Sequence, residues 1–260
     1  MRQHRLTLGT ALLIAAAIAA LVGCSEPAAV AGRQAPPASS QSTPAAPPSQ
    51  APQSPPKAPP TSKEPPAIQV LAKPAAVAAL VNKQFRLPED YRPTDLVEPK
   101  VPFIFKEQHE KRLMRAEAAR ALEAMFTAAE KDGIYLAGVS GFRSYETQKA
   151  LFAYYVRTQG EEMARKYSAE AGHSEHQTGL AMDVSGSTGA CAVDDCFAET
   201  PEARWLAEHA PEYGFIIRYP KGKEAITGYN YEPWHLRYVG LAMSREIAAK
   251  GLTLEEYLSR

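Results

Sequence analysis

Ser174-Glu175-His176-Gln177-Thr178-Gly179-Leu180-Ala181-Met182-Asp183 sets the reading of this chain. A histidine comes first, then a turn at Gly179, then an apolar run ending in an aspartate. Leu180 to Val184 is short and apolar and reads as a strand. Such a strand carries Asp183 to the side of the sheet where the turn lies. A second stretch, Tyr231-Glu232-Pro233-Trp234-His235, sets a carboxylate and a histidine three apart. Its proline forces an extended or kinked backbone, and Trp234 to Tyr238 continues as a strand.

Around these two stretches the pattern is mixed. Ile134 to Ser140 alternates as a strand, and Phe215 to Tyr219 reads as another. Glu107 to Lys131 reads as a helix, because Leu113, Ala118, Leu122, Met125, Phe126 and Ala129 recur mostly at three- and four-residue steps. Asp132-Gly133 ends it. Ser144 caps a helix running to about Gln159, and a shorter one spans Glu161 to Tyr167. Thr200-Pro201 supplies a cap and a first-turn proline for the next. Gly240 to Lys250 and Leu254 to Leu258 close the chain as helices. Leu80 to Lys83 reads as a short strand, and Leu87 to Pro102 as a proline-punctuated loop. Helices cluster early and strands late, which predicts an α+β domain with a small antiparallel sheet flanked by helices. Residues 80–260 are enough for one core.

The N-terminal part is of another kind. Arg2 and Arg5 precede an almost unbroken apolar run, Leu6 to Val22, that ends in Leu21-Val22-Gly23-Cys24. This order predicts a bacterial secretory signal over residues 1–23. The ending resembles a lipoprotein signal, in which the cysteine sulfur takes a diacylglycerol; a plain cleaved signal is the alternative. Lipidation at Cys24 anchors a domain because each buried CH₂ contributes roughly 0.8 kcal/mol. Ser25 to Pro66 holds 13 of the 22 prolines, with mostly Ala, Ser and Gln around them. Residues 24–66 are therefore expected to be a lipid-anchored, disordered linker, able to reach roughly 130 Å if stretched. Residues 67–260 form the remaining domain.

Net charge is zero overall, and loss of Arg2 and Arg5 with the signal leaves the mature chain near −2. No basic stripe speaks for nucleic acid. Besides Cys24 the cysteines are Cys191 and Cys196. In an exported chain a disulfide between them is favoured, a metal role being the alternative.

Of six histidines, His4 falls in the signal, and His109 and His209 read as surface residues. His173, His176 and His235 remain. His176, Asp183 and His235 supply two imidazoles and a carboxylate, with Glu232 spare beside them. Catalytic zinc takes three such ligands and leaves one position for water, whose pKa it lowers towards neutrality. An unliganded carboxylate then takes a proton and returns it to the leaving amine.

Both stretches, with Ser140-Gly141-Phe142-Arg143-Ser144-Tyr145-Glu146-Thr147-Gln148, resemble in order and spacing the signatures of VanY-like D-alanyl-D-alanine carboxypeptidases. These are zinc peptidases of the lysostaphin, D-Ala-D-Ala carboxypeptidase and hedgehog-like group. The resemblance runs from about Leu80 to Leu241. It implies one Zn²⁺ held by His176, Asp183 and His235, with Glu232 as catalytic base. It also implies Arg143 as an active-site arginine, with Ser174 and Gln148 lining the substrate site. Arg143 suits either a substrate carboxylate or the oxyanion of the scissile carbonyl. His173, beside the first block, has no assigned task.

The implied reaction removes a C-terminal D-alanine from peptidoglycan stem peptides. L,D-carboxypeptidase or endopeptidase action on the same stems stays open, as does a non-catalytic wall-binding lipoprotein. The expected location is the cell envelope, with a monomer anchored through Cys24 to the outer face of the cytoplasmic membrane.

Overall fold

The computed structural model describes residues 67–260. The signal, Cys24 and the linker to residue 66 lie outside the described residues. Among the described residues no helix is long and apolar enough to cross a membrane.

The chain opens with β1 (Gln69–Val70) and β2 (Phe85–Arg86), paired in parallel. Next come β3 (Leu96–Val97) and β4 (Met114–Arg115), an antiparallel pair leading straight into α1 (Ala116–Lys131). β5 (Leu136–Ser140) is followed by α2 (Tyr145–Gln159) and α3 (Glu161–Tyr167). Then follow β6 (Ala181–Gly186), α4 (Pro201–His209), β7 (Phe215–Tyr219) and α5 (Glu224–Thr227). β8 (Glu232–Tyr238), α6 (Leu241–Lys250) and α7 (Leu254–Leu258) complete the fold. The main sheet has the order β5-β6-β8-β7 and every pair in it is antiparallel. This is the expected α+β arrangement, a small antiparallel sheet flanked by helices.

Strand alternation splits the sheet into two chemically different faces. Met182 and Val184 on β6, and Trp234, Leu236 and Tyr238 on β8, join the core. Asp183 and His235, one step over, face away from it. The core face is covered by the buried stripe of α1, Ala118, Leu122, Met125, Phe126 and Ala129, and by Leu206 of α4. Trp205 on α4 donates its indole N–H to Asp132 at the end of α1, 2.9 Å away, tying the two helices together. Truncating a core side chain such as Leu122 to Ala removes about 2–5 kcal/mol.

Helix ends follow the sequence signals. Ser144 Oγ accepts from Thr147 N, and Thr200 Oγ accepts from Ala203 N. Thr253 and Glu256 form a reciprocal capping box on α7.

Two local expectations give way to tertiary pairing. The first long helix starts at Ala116, not near Glu107. Upstream of it, Glu110–Arg112 forms a 3-10 turn and Met114–Arg115 a strand. Distant groups hold this backbone open: Gly141 N donates to Lys111 O, Phe142 N to Leu113 O, and Arg115 N to Gly179 O. Leu80 to Lys83 does not pair as a strand; pairing begins at Phe85. Asn82 makes the turn instead, its Oδ1 accepting from the backbone N–H groups of Gln84 and Phe85.

Candidate metal centre and active site

His176 sits in the 3-10 turn Glu175–Thr178. Gly179 ends the turn at φ +68°, where a Cβ would stand 2.9 Å from Leu96 Cδ2 and 3.0 Å from Arg115 Cγ. Glycine alone meets both demands, and it lets the chain turn from His176 into β6. His176 Nδ1 lies 2.7 Å from Gly141 O. A carbonyl only accepts, so Nδ1 carries the hydrogen and Nε2 presents a lone pair. That Nε2 lies 3.3 Å from Asp183 Oδ2.

Asp183 and His235 are register partners on β6 and β8, and Ser140 on β5 pairs with Asp183. Ser140, Asp183 and His235 thus form one row across three strands. Asp183 Oδ1 is 3.0 Å from His235 Nδ1. The donor atoms of His176, Asp183 and His235 all lie within 4.8 Å of one another, and all three residues are buried. Buried imidazole and carboxylate donors converging this closely fit a divalent cation. Two imidazoles and a carboxylate are a donor set that suits zinc.

Burial and neighbours set the charges. Burial alone would raise the Asp183 carboxyl, but the imidazoles of His176 and His235 hold it well below the usual carboxylate range. Burial pushes His176 down, against the pull of Asp183. Burial also opposes charge on His235, yet the carboxylates of Asp183 and Glu175 outweigh it and hold the ring above the usual imidazole range. Glu232 opens β8 opposite Tyr219, and its Oε2 is 3.7 Å from His235 Nδ1. Burial pushes its carboxyl up to about 7, against the pull of His235 and Arg143.

These groups open onto a cavity of about 460 Å³. Its floor holds His176, Asp183, Glu232 and His235, and its walls include Arg143, Tyr155 and Ser174. Arg143 donates from Nη1 to Gln148 Oε1 at 2.7 Å and from Nη2 to Ser140 Oγ at 3.1 Å. Gln148 does not border the cavity. It is 1% exposed and stands behind Arg143, its amide N–H bound to Ala169 O and Ser168 Oγ. Cys191 and Cys196 are joined in a disulfide with Cα atoms 5.5 Å apart. The loop they close brings Val193, Asp194 and Asp195 to the cavity rim. Cys191 and Val193 lie at φ +57° and +54°, a region that a β-branched residue rarely enters. His173 is buried away from these groups, its Nδ1 2.7 Å from Asn82 O.

Sequence reading missed the residues behind the centre. Glu175, Arg218 and Arg237 are fully buried and paired. The available signal was an arginine inside each of two strands rich in large apolar side chains, Phe-Ile-Ile-Arg-Tyr and Trp-His-Leu-Arg-Tyr. Buried guanidinium groups need a buried acid. Tyr219 was missed too; a register shift between Ile217 and Tyr219 accompanies the placement of its ring 5.0 Å from His235.

With this geometry in place, comparison with protein families matches residues 111–241 to VanY, D-alanyl-D-alanine carboxypeptidase. The chain belongs to the VanY family. The putative carboxypeptidase YodJ of Bacillus subtilis (strain 168) is 49% identical over 198 residues, 76% of this chain and 72% of YodJ. Among solved structures the LdcB LD-carboxypeptidase aligns with a TM-score of 0.71 at 49% identity, over 76% of this chain and 92% of that one. A D,D-pentapeptidase VanY from a VanB-type vancomycin-resistance cassette, solved with Zn(II), aligns with a TM-score of 0.58 at 33% identity. That match covers 70% of this chain and 98% of the other. This VanY-family chain is therefore a hydrolase of the carboxypeptidase kind.

Proposed function

We propose that this VanY-family protein is a zinc-dependent carboxypeptidase that removes the C-terminal D-alanine from peptidoglycan stem peptides, acting on D-Ala-D-Ala ends. The observation that carries the reading is the convergence of His176, Asp183 and His235 within 4.8 Å, with the Glu232 carboxyl beside them. One Zn²⁺ would be held by those three residues. When bound it supplies Lewis-acid polarisation of a carbonyl and of water.

The remaining work belongs to side chains. Glu232 takes the proton of the attacking water and returns it to the departing amine. A carboxyl pushed up to about 7 by burial is matched to both halves of that transfer. Arg143 presents a guanidinium fixed by Gln148 and Ser140. It binds the terminal carboxylate or steadies the oxyanion of the scissile carbonyl. Ser174 offers a hydroxyl at the cavity wall.

A second reading is L,D-carboxypeptidase action on tetrapeptide stems. It is favoured by the 49% identity to the LdcB LD-carboxypeptidase, against 33% to the D,D-pentapeptidase. Both reactions release D-alanine; they differ in the residue that precedes it. Mass spectrometry of products from pentapeptide and tetrapeptide muropeptides, with zinc and residues 67–260, separates them. Loss of alanine from the pentapeptide alone supports the first reading. Loss from the tetrapeptide replaces it with the second. Cleavage of neither, with zinc bound, refutes both.

The N-terminal sequence supports a further part of the proposal: export, lipidation at Cys24 and a tether along residues 24–66. This sets the enzyme at the outer face of the cytoplasmic membrane, acting as a monomer on the wall. Cys24→Ser should release the protein from the membrane fraction; retention there would refute the lipid anchor.

A further inference from the structure

Behind His235 lies a carboxylate that the reaction above does not use. Glu175 is 1% exposed. Its Oε1 accepts from Arg218 Nε at 2.6 Å and from Arg237 Nη1 at 2.7 Å. Both arginines are fully buried and held from their other sides. Arg218 makes a two-bond fork with Glu255, at 2.9 and 2.7 Å. Arg237 Nη2 donates to the carbonyls of Val77 and Ala79, each at 2.8 Å. Two buried cations thus face two anions, and the Glu175 carboxylate has no freedom to rotate without breaking charge-assisted bonds.

Its second oxygen is the informative one. Glu175 Oε2 is buried without a hydrogen-bond partner, and so is His235 Nε2. The two atoms face each other at 3.6 Å. The opposite ring nitrogen, Nδ1, is the one beside Asp183 and Glu232. Tyr219 packs on the ring with centroids 5.0 Å apart, and Arg218 lies over Tyr219 in turn. The same ionic cluster therefore sets both the back and one wall of the imidazole.

We propose that Glu175 is a positioning residue that fixes the tautomer and orientation of His235, keeping hydrogen on Nε2 and leaving the Nδ1 lone pair for the metal. A neutral imidazole has one protonated nitrogen, and the bond made by one nitrogen decides which lone pair is free. A carboxylate only accepts, so a fixed one behind Nε2 selects the Nε2–H form. Such outer partners orient metal-ligating histidines, and their loss typically lowers metal affinity 10- to 100-fold. Arg218 and Arg237 hold Glu175 in place, and Glu255 touches only the far side of Arg218 and neither Glu175 nor His235.

The inference rests on the metal reading above, and its test does not use peptide cleavage. Glu175→Gln keeps the side-chain shape. Its amide oxygen accepts from the two guanidinium groups, which turns the NH₂ towards Nε2 and favours the wrong tautomer. Zinc affinity, measured by competition with a chelator dye, should fall about 10- to 100-fold. Glu255→Gln weakens the Arg218 fork but leaves Glu175 against His235. It should lower the melting temperature and leave zinc affinity unchanged. NMR of the imidazole nitrogens in the zinc-loaded wild-type protein should place hydrogen on His235 Nε2. Unchanged zinc affinity in folded Glu175→Gln overturns the proposal. So does hydrogen on His235 Nδ1 in the wild-type protein, a readout that decides even where the variant fails to fold. A wild-type protein that binds no zinc refutes the metal reading itself, and is distinguished by that result.

Discussion

Asp183 and His235 face each other in register across β6 and β8, with Asp183 Oδ1 3.0 Å from His235 Nδ1. Antiparallel pairing puts the two side chains on one face at a fixed spacing. The sheet itself thus supplies two of the three converging donors, and the turn ending at Gly179 brings in the third. A site built on strands is held more firmly than one built on loops.

Glu232 sits beside these side chains without belonging to the converging set. Glu232→Ala should keep zinc and lose about 10²–10⁴-fold in kcat. Metal analysis of the purified variant, together with turnover of muropeptides, checks both halves. Near-normal turnover would remove Glu232 as the base.

Zinc binding should depend on pH through His235. In the metal-free protein this imidazole is held above its usual range by Asp183 and Glu175. Zinc needs the neutral ring, so each ion displaces a proton, and affinity should rise with pH through neutrality. The metal-free fold carries the opposite dependence. A raised histidine contributes stability that is complete below its unfolded pKa of about 6.5 and is lost as pH rises through the higher folded value. Calorimetry in buffers of different ionisation enthalpy reads the released proton; no proton release at neutral pH would contradict the charge assigned to His235.

Arg143→Lys should lower kcat/KM well beyond the effect of a charge-preserving surface change. The guanidinium spends two nitrogens on Gln148 and Ser140 while facing the cavity. An ammonium cannot hold both bonds in a plane and still present a fork. Gln148→Ala should give a milder loss of the same kind, because it frees Arg143 to swing. Steady-state kinetics on both variants tests this, and equal activity of Arg143→Lys and wild type would count against any catalytic role for the fork.

Reduction of the Cys191–Cys196 bridge should act on the rim, not on the metal. The loop holds Val193 at a positive φ beside the cavity. Closing so short a loop stabilises by about 2 kcal/mol at most, so the melting temperature should fall only modestly. KM should rise more than kcat falls, because the rim is released while Glu232 and the metal ligands keep their places. A Cys191→Ser/Cys196→Ser variant with wild-type KM and melting temperature would show that the bridge does neither.

The helix from Glu107 illustrates where local reading stops. Leu113 and its neighbours carry helical spacing, but the backbone at Lys111, Leu113 and Arg115 is claimed by Gly141, Phe142 and Gly179. No pattern within residues 107–115 encodes those partners. Gln148 follows the same logic. Its place four residues into α2 was legible, yet only the fold shows it supporting Arg143 from behind.

The sequence by itself determined the alternation that puts Asp183 and His235 on one face, the turn that Gly179 permits, and the presence of Glu232 three residues before His235 and of Arg143 just after β5. These follow from spacing over a few residues, where the period of a strand and the φ of a glycine act directly. Only the tertiary structure decided what surrounds them. Glu175 reads in sequence as one more acid beside a histidine. It becomes a buried anion behind His235 because Arg218 and Arg237 arrive from strands 43 and 62 residues away. Ion pairing in a buried site is set by which distant segments the fold stacks together, and that is not a property of any single stretch of chain.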